Sequence, residues 1–318
     1  MTTENGLVSV IIPTYNRAIF LQEAIQSVLS QTYRPIECVI VDDGSTDNSK
    51  EIVEKLRNVA DSGITLKYIY QENAGAQVAR NTGNSASTGE FVQYLDSDDL
   101  LYRDKLVQQV NYLKEHKDCD AVFGDWEIGM PENKNLIEAL PSDNFLCQFL
   151  IERPIAIFSM LMRRAFINKI GDWDTSIKRN QEIDFHLRGV IAGGNFEYQP
   201  LLCGLWRTHN EERIGNASRL SYAVEFYQKW ENILREKKLW NSELSIGVVK
   251  NYVWFLGTCP HSETREMNKL LKEMYRLHPK HPMFVNPKFK IAKFFLGLNK
   301  AINLWIKRYT QNLDKING

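Results

Sequence analysis

What this sequence is missing narrows its function before any motif is considered. Its five cysteines (Cys38, Cys119, Cys147, Cys203 and Cys259) are odd in number, widely spaced and nowhere arranged as Cys-x-x-Cys. Neither a disulfide framework nor a zinc site is indicated, and a reducing compartment fits best. No stretch reaches the ~18 uninterrupted apolar residues of a membrane span. The opening residues carry no basic cluster, and the first apolar run, Val8 to Ile12, stops at Pro13, too short for a secretory signal. Net charge is absent as well: 39 Lys and Arg balance 39 Asp and Glu, so no overall field favours nucleic acid. No Gly-x-Gly-x-x-Gly follows the first strand-like run and no P-loop occurs, which argues against dinucleotide enzymes and P-loop kinases. A cytoplasmic protein is expected, at most peripheral at the inner face of the plasma membrane.

What is present is a pattern of β-branched runs alternating with amphipathic helices, the mark of βαβ units and a parallel sheet buried on both faces. Strands are expected at Val8 to Pro13, Ile36 to Val41, Leu66 to Tyr70, Phe91 to Leu95 and Ala121 to Phe123. The first helix, Phe20 to Ser30, carries Leu21, Ala24, Ile25, Val28 and Leu29 on one stripe, and later ones begin near Asp47, Ala74 and Asp104. From Pro141 the pattern mixes a strand at Ala156 to Met162 with a helix from Glu182 to Ile191, ended by Gly193-Gly194. After about Ser218 everything reads as helix, including Leu220 to Glu236 and Pro287 to Arg308. The expected division is a catalytic domain over 1–218, with a nucleotide half to about 125 and an acceptor half from 126, followed by a helical region over 219–318.

In open α/β sheets ligands gather beyond the carboxyl ends of the strands. Four strand ends here place polar or acidic groups on that rim: Pro13-Thr14-Tyr15-Asn16-Arg17, Asp42-Asp43-Gly44-Ser45, Asn73-Ala74-Gly75 and Asp96-Ser97-Asp98-Asp99. Carboxylates two residues apart on a strand end share a face, where they can hold Mg²⁺ or Mn²⁺ against a pyrophosphate. Acidic residues after a strand also cap helices, so the pair alone does not decide the matter.

Taken together, VSVIIPTYNR (Val8 to Arg17), VDDGSTD (Val41 to Asp47), ENAGAQVARNTG (Glu72 to Gly83), YLDSDD (Tyr94 to Asp99) and QEIDFHLR (Gln181 to Arg188) resemble glycosyltransferase family 2, whose members have the nucleotide-sugar-binding fold called GT-A. The resemblance implies an α/β fold with a mostly parallel central sheet flanked by helices and a helical C-terminal extension. It implies an inverting, metal-dependent transfer from a nucleotide diphosphate sugar, with UDP favoured, to a glycan or lipid-linked acceptor, as in cell-surface polysaccharide synthesis. Thr14 and Tyr15 would line the nucleotide pocket, with Tyr15 stacking on the base. Asp43 would accept a hydrogen bond from the base and Arg80 would lie near base or diphosphate. Pro13, Arg17, Asn73 and Ser97 complete the donor set. Asp98 would bind the metal, with Asp96 holding the ribose or assisting. His209, in a segment resembling the family's Arg-x-His, would approach metal or phosphate.

Glu182 stands where the family usually has the aspartate that serves as catalytic base. It keeps the carboxylate and adds a methylene. Asp184, also acidic, would instead pair with Arg188 one turn on, while Leu187, Val190 and Ile191 mark the buried stripe. Trp126, Trp173 and Trp206 could stack on a sugar ring, although large aromatics usually belong to cores. A nucleotidyltransferase and an inactive sugar-binding or scaffold module are the alternatives at this level.

The charge balance hides an asymmetry. Between Met274 and Leu313 there are eight basic residues and no acidic ones. At helical spacing Ile291, Phe295, Leu298, Ile302 and Trp305 form one stripe and Lys293, Lys300 and Lys307 another, the pattern of a helix lying on an anionic membrane or packing against its own protein.

Overall fold

The computed structural model describes residues 3–304 apart from 59, 61–62, 140–141, 153–154, 209–218, 259–263, 291–293, 295, 298–299 and 302–303. The chain divides into two compact units. One comprises Met1–Phe149, Arg153–Ser176 and Gln181–Glu211; the other comprises Leu150–Glu152, Ile177–Asn180 and Glu212–Gly318.

In the first unit strands and helices alternate: β1 (Glu4–Thr14), α1 (Ala18–Leu29), β2 (Ile36–Asp42), α2 (Ser49–Arg57), β3 (Ile64–Tyr70), α3 (Ala76–Ala86) and β4 (Gly89–Tyr94). There follow β5 (Leu100–Leu101), α4 (Lys105–Glu115), β6 (Ala121–Met130), β7 (Asn133–Ile137) and α5 (Phe145–Ile151), of which Leu150 and Ile151 belong to the second unit. The unit continues with β8 (Leu161–Arg163), α6 (Arg164–Ile170), α7 (Gln181–Ile191) and β9 (Phe196–Arg207). These strands make one sheet in the order β3-β2-β1-β4-β8-β6-β9-β5, with β7 paired to β6. β3, β2, β1 and β4 run parallel, as do β6 and β9, while β5, β7 and β8 are antiparallel to their neighbours. The result is the mixed, mostly parallel α/β sheet that the alternating pattern predicts.

Val10, Ile11, Ile12, Val39 and Ile40 are fully buried because helices cover both faces, each side chain contributing about 1.5–3 kcal/mol by leaving water. Register sets the rim. Thr14 lies opposite Asp42, and Asp42 opposite Tyr70, so three parallel strands end level and hand their next residues to one edge.

One expectation changes. The apolar run from Ala156 to Met162 is not one strand: Ile157–Ser159 forms a 3₁₀ turn, in which the Ser159 amide and hydroxyl both donate to the Ala156 carbonyl at 3.0 and 2.8 Å, and only Leu161–Arg163 pairs. The second unit carries α8 (Arg219–Glu236), α9 (Ser242–Thr258), α10 (Thr264–Leu277) and α11 (Pro282–Val285). Its expected helix from Pro287 to Arg308 is helical at every described residue, 287–290, 294, 296–297, 300–301 and 304, with Gly297 inside it at φ +78°. Of the stripe residues named above, only Lys300 lies within the described residues.

Candidate active site

The loops after β1 and β2 are laced together. The Asn16 amide donates to Ser45 Oγ at 2.9 Å, and the Thr46 amide to Asn16 Oδ1 at 2.7 Å. Asp47 accepts from the Ala18 amide at 2.9 Å, placing an anion at the amino end of α1, where the exposed N–H groups and dipole favour it. Pro13 and Thr14 are buried; Tyr15 is 48% exposed and stands on the rim. Arg17 is half-buried, 5.8 Å from the Phe20 ring centroid. Thr14 Oγ1 is buried without a hydrogen-bond partner among the described residues.

Asp43 organises the next loop. Its Oδ1 accepts from Gln71 Nε2 at 2.7 Å and the Ala74 amide at 2.9 Å, and its Oδ2 from the Gly75 amide at 2.8 Å. A carboxylate expected to read the base is thus already engaged in shaping the Asn73-Ala74-Gly75 turn, with lone-pair capacity left on Oδ2. Asn73 is exposed, and its backbone passes so close to Gly44 (φ +88°) that a Cβ there would lie 2.9 Å from the Asn73 nitrogen. Only glycine fits that crossing.

Arg80, on α3, is 2% exposed and joins the β4 turn to the start of α7. It reaches Asp96 Oδ1 at 2.6 Å, Gln181 Oε1 at 2.9 Å and Glu182 Oε1 at 3.4 Å, and its guanidinium lies 4.5 Å from the Trp173 ring centroid. Its Nε has no partner among the described residues. The pKa of Glu182 is raised: burial pushes it up, Arg80 pulls it down and Asp96 adds to the rise. Asp184 is buried and paired with Arg188 Nε at 2.9 Å, as the helical spacing predicts. Val190 and Ile191 are only half-buried. Leu187 is buried as expected, together with Phe185, His186 and Gly189, whose missing side chain lets Phe166 and Phe196 approach.

The β4 turn closes by a bond from the Asp99 amide to the Asp96 carbonyl at 3.0 Å. Ser97 is buried and Asp98 half-buried. Asp99, absent from the expected site, is buried 4% exposed, and burial with neighbouring Asp98 and Asp96 pushes its carboxyl well above the usual range. Among the described residues no three potential ligands form a ready-made metal cage. Asp96 and Asp98 offer the oxygen donors that suit Mg²⁺ or Mn²⁺, and Asp96 uses only Oδ1 for Arg80.

His209 lies outside the described residues. Trp126 and Trp173, 5% and 2% exposed, are core residues rather than sugar platforms; Trp173 stacks on Phe185 with centroids 4.3 Å apart. Trp206 is half-buried. The ring partners of Trp173, Tyr94 and Phe185, come from other elements, so its place in the core depends on tertiary packing.

Comparison with known proteins agrees with this architecture. The profile of "Glycosyl transferase family 2" matches residues 9–171. An uncharacterized glycosyltransferase of Rickettsia typhi is 30% identical over 254 residues, covering 76% of this chain and 75% of that protein. The chain spans about two fifths of the length of several other Rickettsia relatives. Among solved structures, S. aureus TarS 1–349 in complex with UDP-GlcNAc superposes with a TM-score of 0.69 at 19% identity, covering 96% of this chain and 92% of that one. The mannosyltransferase PcManGT of Pyrobaculum calidifontis, in complex with GDP-Man and Mn²⁺, gives 0.54 at 18% identity over 96% and 80%. With the family profile matching just over half of this chain, and a relative similar over three quarters of both proteins, the chain belongs to glycosyl transferase family 2 and is a glycosyltransferase of GT-A type.

Proposed function

We propose that the first 218 residues carry a metal-dependent, inverting transfer of a sugar from a nucleotide diphosphate, UDP in the first instance, to a hydroxyl of a glycan or lipid-linked acceptor in cell-surface polysaccharide synthesis. One observation carries the reading: Arg80 contacts both Asp96 of the β4 turn and Glu182 of α7, so the two carboxylate-bearing segments meet at one side chain. The nucleotide sugars named for TarS and PcManGT support a diphosphate donor, and the higher similarity to TarS favours UDP.

In this mechanism Tyr15 stacks on the base, while Thr14 and the Asp43-shaped loop enclose the nucleoside. Pro13, Arg17, Asn73 and Ser97 complete the enclosure. Asp98, with Asp96, would hold Mn²⁺ or Mg²⁺, which supplies positive charge against the diphosphate. Glu182 takes the acceptor proton as the acceptor oxygen bonds to the anomeric carbon and the carbon–oxygen bond to the diphosphate breaks; the diphosphate leaves with that electron pair. Its raised pKa suits Glu182 to this task, because it makes the carboxylate a better base.

The test is calorimetric titration of UDP and GDP, with Mn²⁺ and with chelator, into the wild type and Asp98→Ala. Tight binding of UDP only with Mn²⁺, lost by about ten- to a hundredfold in the variant, is expected. Equal affinity in all arms excludes a metal role.

The basic C-terminal region is proposed to lie against an anionic membrane at the cytoplasmic face. No described helix is long and apolar enough to cross one, and Phe294, Leu296 and Leu304 are exposed alongside Lys290 and Lys300. Sedimentation with acidic liposomes should capture the full chain and leave a chain ending at Asn286 in solution; if neither sediments, the attachment is wrong.

A further inference from the structure

Arg207 is the last residue of β9 and only 1% exposed. Its strand is zipped to the segment leaving the β4 turn: Leu100 pairs with Leu205, Leu101 with Gly204, and the Tyr102 amide donates to the Cys203 carbonyl at 2.9 Å. From this fixed point Arg207 reaches in two directions. Toward the turn, its backbone amide donates to Asp99 Oδ1 at 3.1 Å and its Nε to the Asp98 carbonyl. Toward α1, Nη1 donates to the Glu23 carboxylate and Nη2 to the Phe20 carbonyl at 3.2 Å, with the guanidinium 4.9 Å from the Phe20 ring centroid. The planar fork of arginine suits such divergent bonding, since its donors lie in fixed directions.

The two segments tied by this side chain are those that a nucleoside diphosphate would have to span. α1 begins directly after Tyr15 and Arg17, and the turn carries Asp96 and Asp98. We infer that Arg207 is a positioning residue that sets the separation between the β1–α1 end of the cleft and the Asp96–Asp99 turn. The inference rests on the proposed donor site. A fully buried cation with partners on two segments is also poorly explained as a surface ion pair, and the Glu23 partner, half exposed, is held in place by Arg207 rather than by burial.

This role separates ligands by length. Uridine occupies one side of the cleft only, whereas UDP with Mn²⁺ bridges both sides. Arg207→Ala should weaken UDP·Mn²⁺ binding by about ten- to a hundredfold and uridine binding by less than about threefold. Glu23→Gln, at a half-exposed position that leaves the core intact, should shift UDP·Mn²⁺ in the same direction by about threefold. Amide hydrogen exchange of the unliganded variants provides a second measurement that needs no donor: residues 18–23 and 96–101 should exchange several-fold faster while β2 and β3 keep their rates. Should Arg207→Ala fail to fold, Glu23→Gln decides. Equal losses for uridine and UDP, unchanged exchange in both segments, or acceleration spread evenly over the sheet would each overturn the inference. If the wild type binds UDP without regard to Mn²⁺, the metal reading fails, and the exchange rates alone then judge Arg207.

Discussion

The two ends of the parallel sheet carry polar clusters of similar composition and opposite character. At the amino ends, Glu37 accepts from Ser9 Oγ at 2.6 Å, Lys67 Nζ at 2.6 Å and the Thr88 amide at 2.6 Å, while Arg164 donates to Ser87 Oγ at 2.8 Å and Ser9 Oγ at 3.2 Å. Burial alone would raise the Glu37 pKa, yet the bonds from Lys67, Ser9 and Thr88 bring it below its ordinary value. At the carboxyl ends the balance reverses. Glu182 and Asp99 are pushed up, and Thr14 Oγ1 and Arg80 Nε lack partners among the described residues. A cluster that satisfies itself stabilises the fold; one left under-satisfied in a cleft is poised for a ligand.

The sharpest break in that comparison is a matched pair of substitutions. Glu182→Gln keeps shape and removes the proposed base, so kcat should fall by roughly 10²–10⁴ with little change in melting temperature or donor affinity. Because a base works only when deprotonated, wild-type kcat should fall away on the acid side at a pH above the ordinary glutamate range. Glu37→Gln should do the opposite, costing about 2 kcal/mol of stability while turnover per folded molecule stays intact. A pKa lowered on folding contributes fully above the unfolded value and is lost as pH falls through the folded one. The stability gap between wild type and Glu37→Gln should therefore close in acid, measured by denaturant melts across pH. If Glu182→Gln melts early and Glu37→Gln loses turnover, the two ends have been assigned backwards.

A smaller effect separates the two carboxylates of α7. Asp184→Asn weakens the pair with Arg188 and should cost about 1–2 kcal/mol with kcat unchanged. Loss of turnover in a folded, donor-binding Asp184→Asn protein would transfer the base to Asp184.

The sequence shows the β1–β4 half clearly and the β6–β9 half poorly, for a physical reason. Strands buried on both faces are continuous apolar runs, such as the fully buried Ile36–Asp42. β9 contains Pro200 and alternates irregularly, and its register against β6 shifts at Asp125, beside Gly124, where a Cβ would meet the Leu201 carbonyl at 2.4 Å. That bulged pairing leaves no simple period to read. The acidic turn was legible as local spacing. Its tie to Arg207 was not, because the partners lie more than a hundred residues apart. The family profile stops at residue 171, so Glu182 rests on its neighbours Arg80 and Asp96 rather than on that match.

The finest test of the comparison uses one hydroxyl. Thr14 is 3% exposed at the end of β1, and its Oγ1 has no partner among the described residues, whereas Ser9 on the same strand donates to Glu37 and accepts from the Gly89 amide at 2.8 Å. Replacing Thr14 with Val conserves volume and removes a polar atom whose burial already costs free energy, so stability should stay within about 0.5 kcal/mol of wild type or rise. If the hydroxyl is kept for the nucleotide, UDP affinity should fall about three- to tenfold in the same protein, the worth of one hydrogen bond. Ser9→Ala should show the converse, losing stability without a change in UDP affinity. A Thr14→Val protein that binds UDP as tightly as wild type would mean that the orphaned hydroxyl is a packing feature, and the contrast between the two ends of the sheet would then rest on the carboxylates alone.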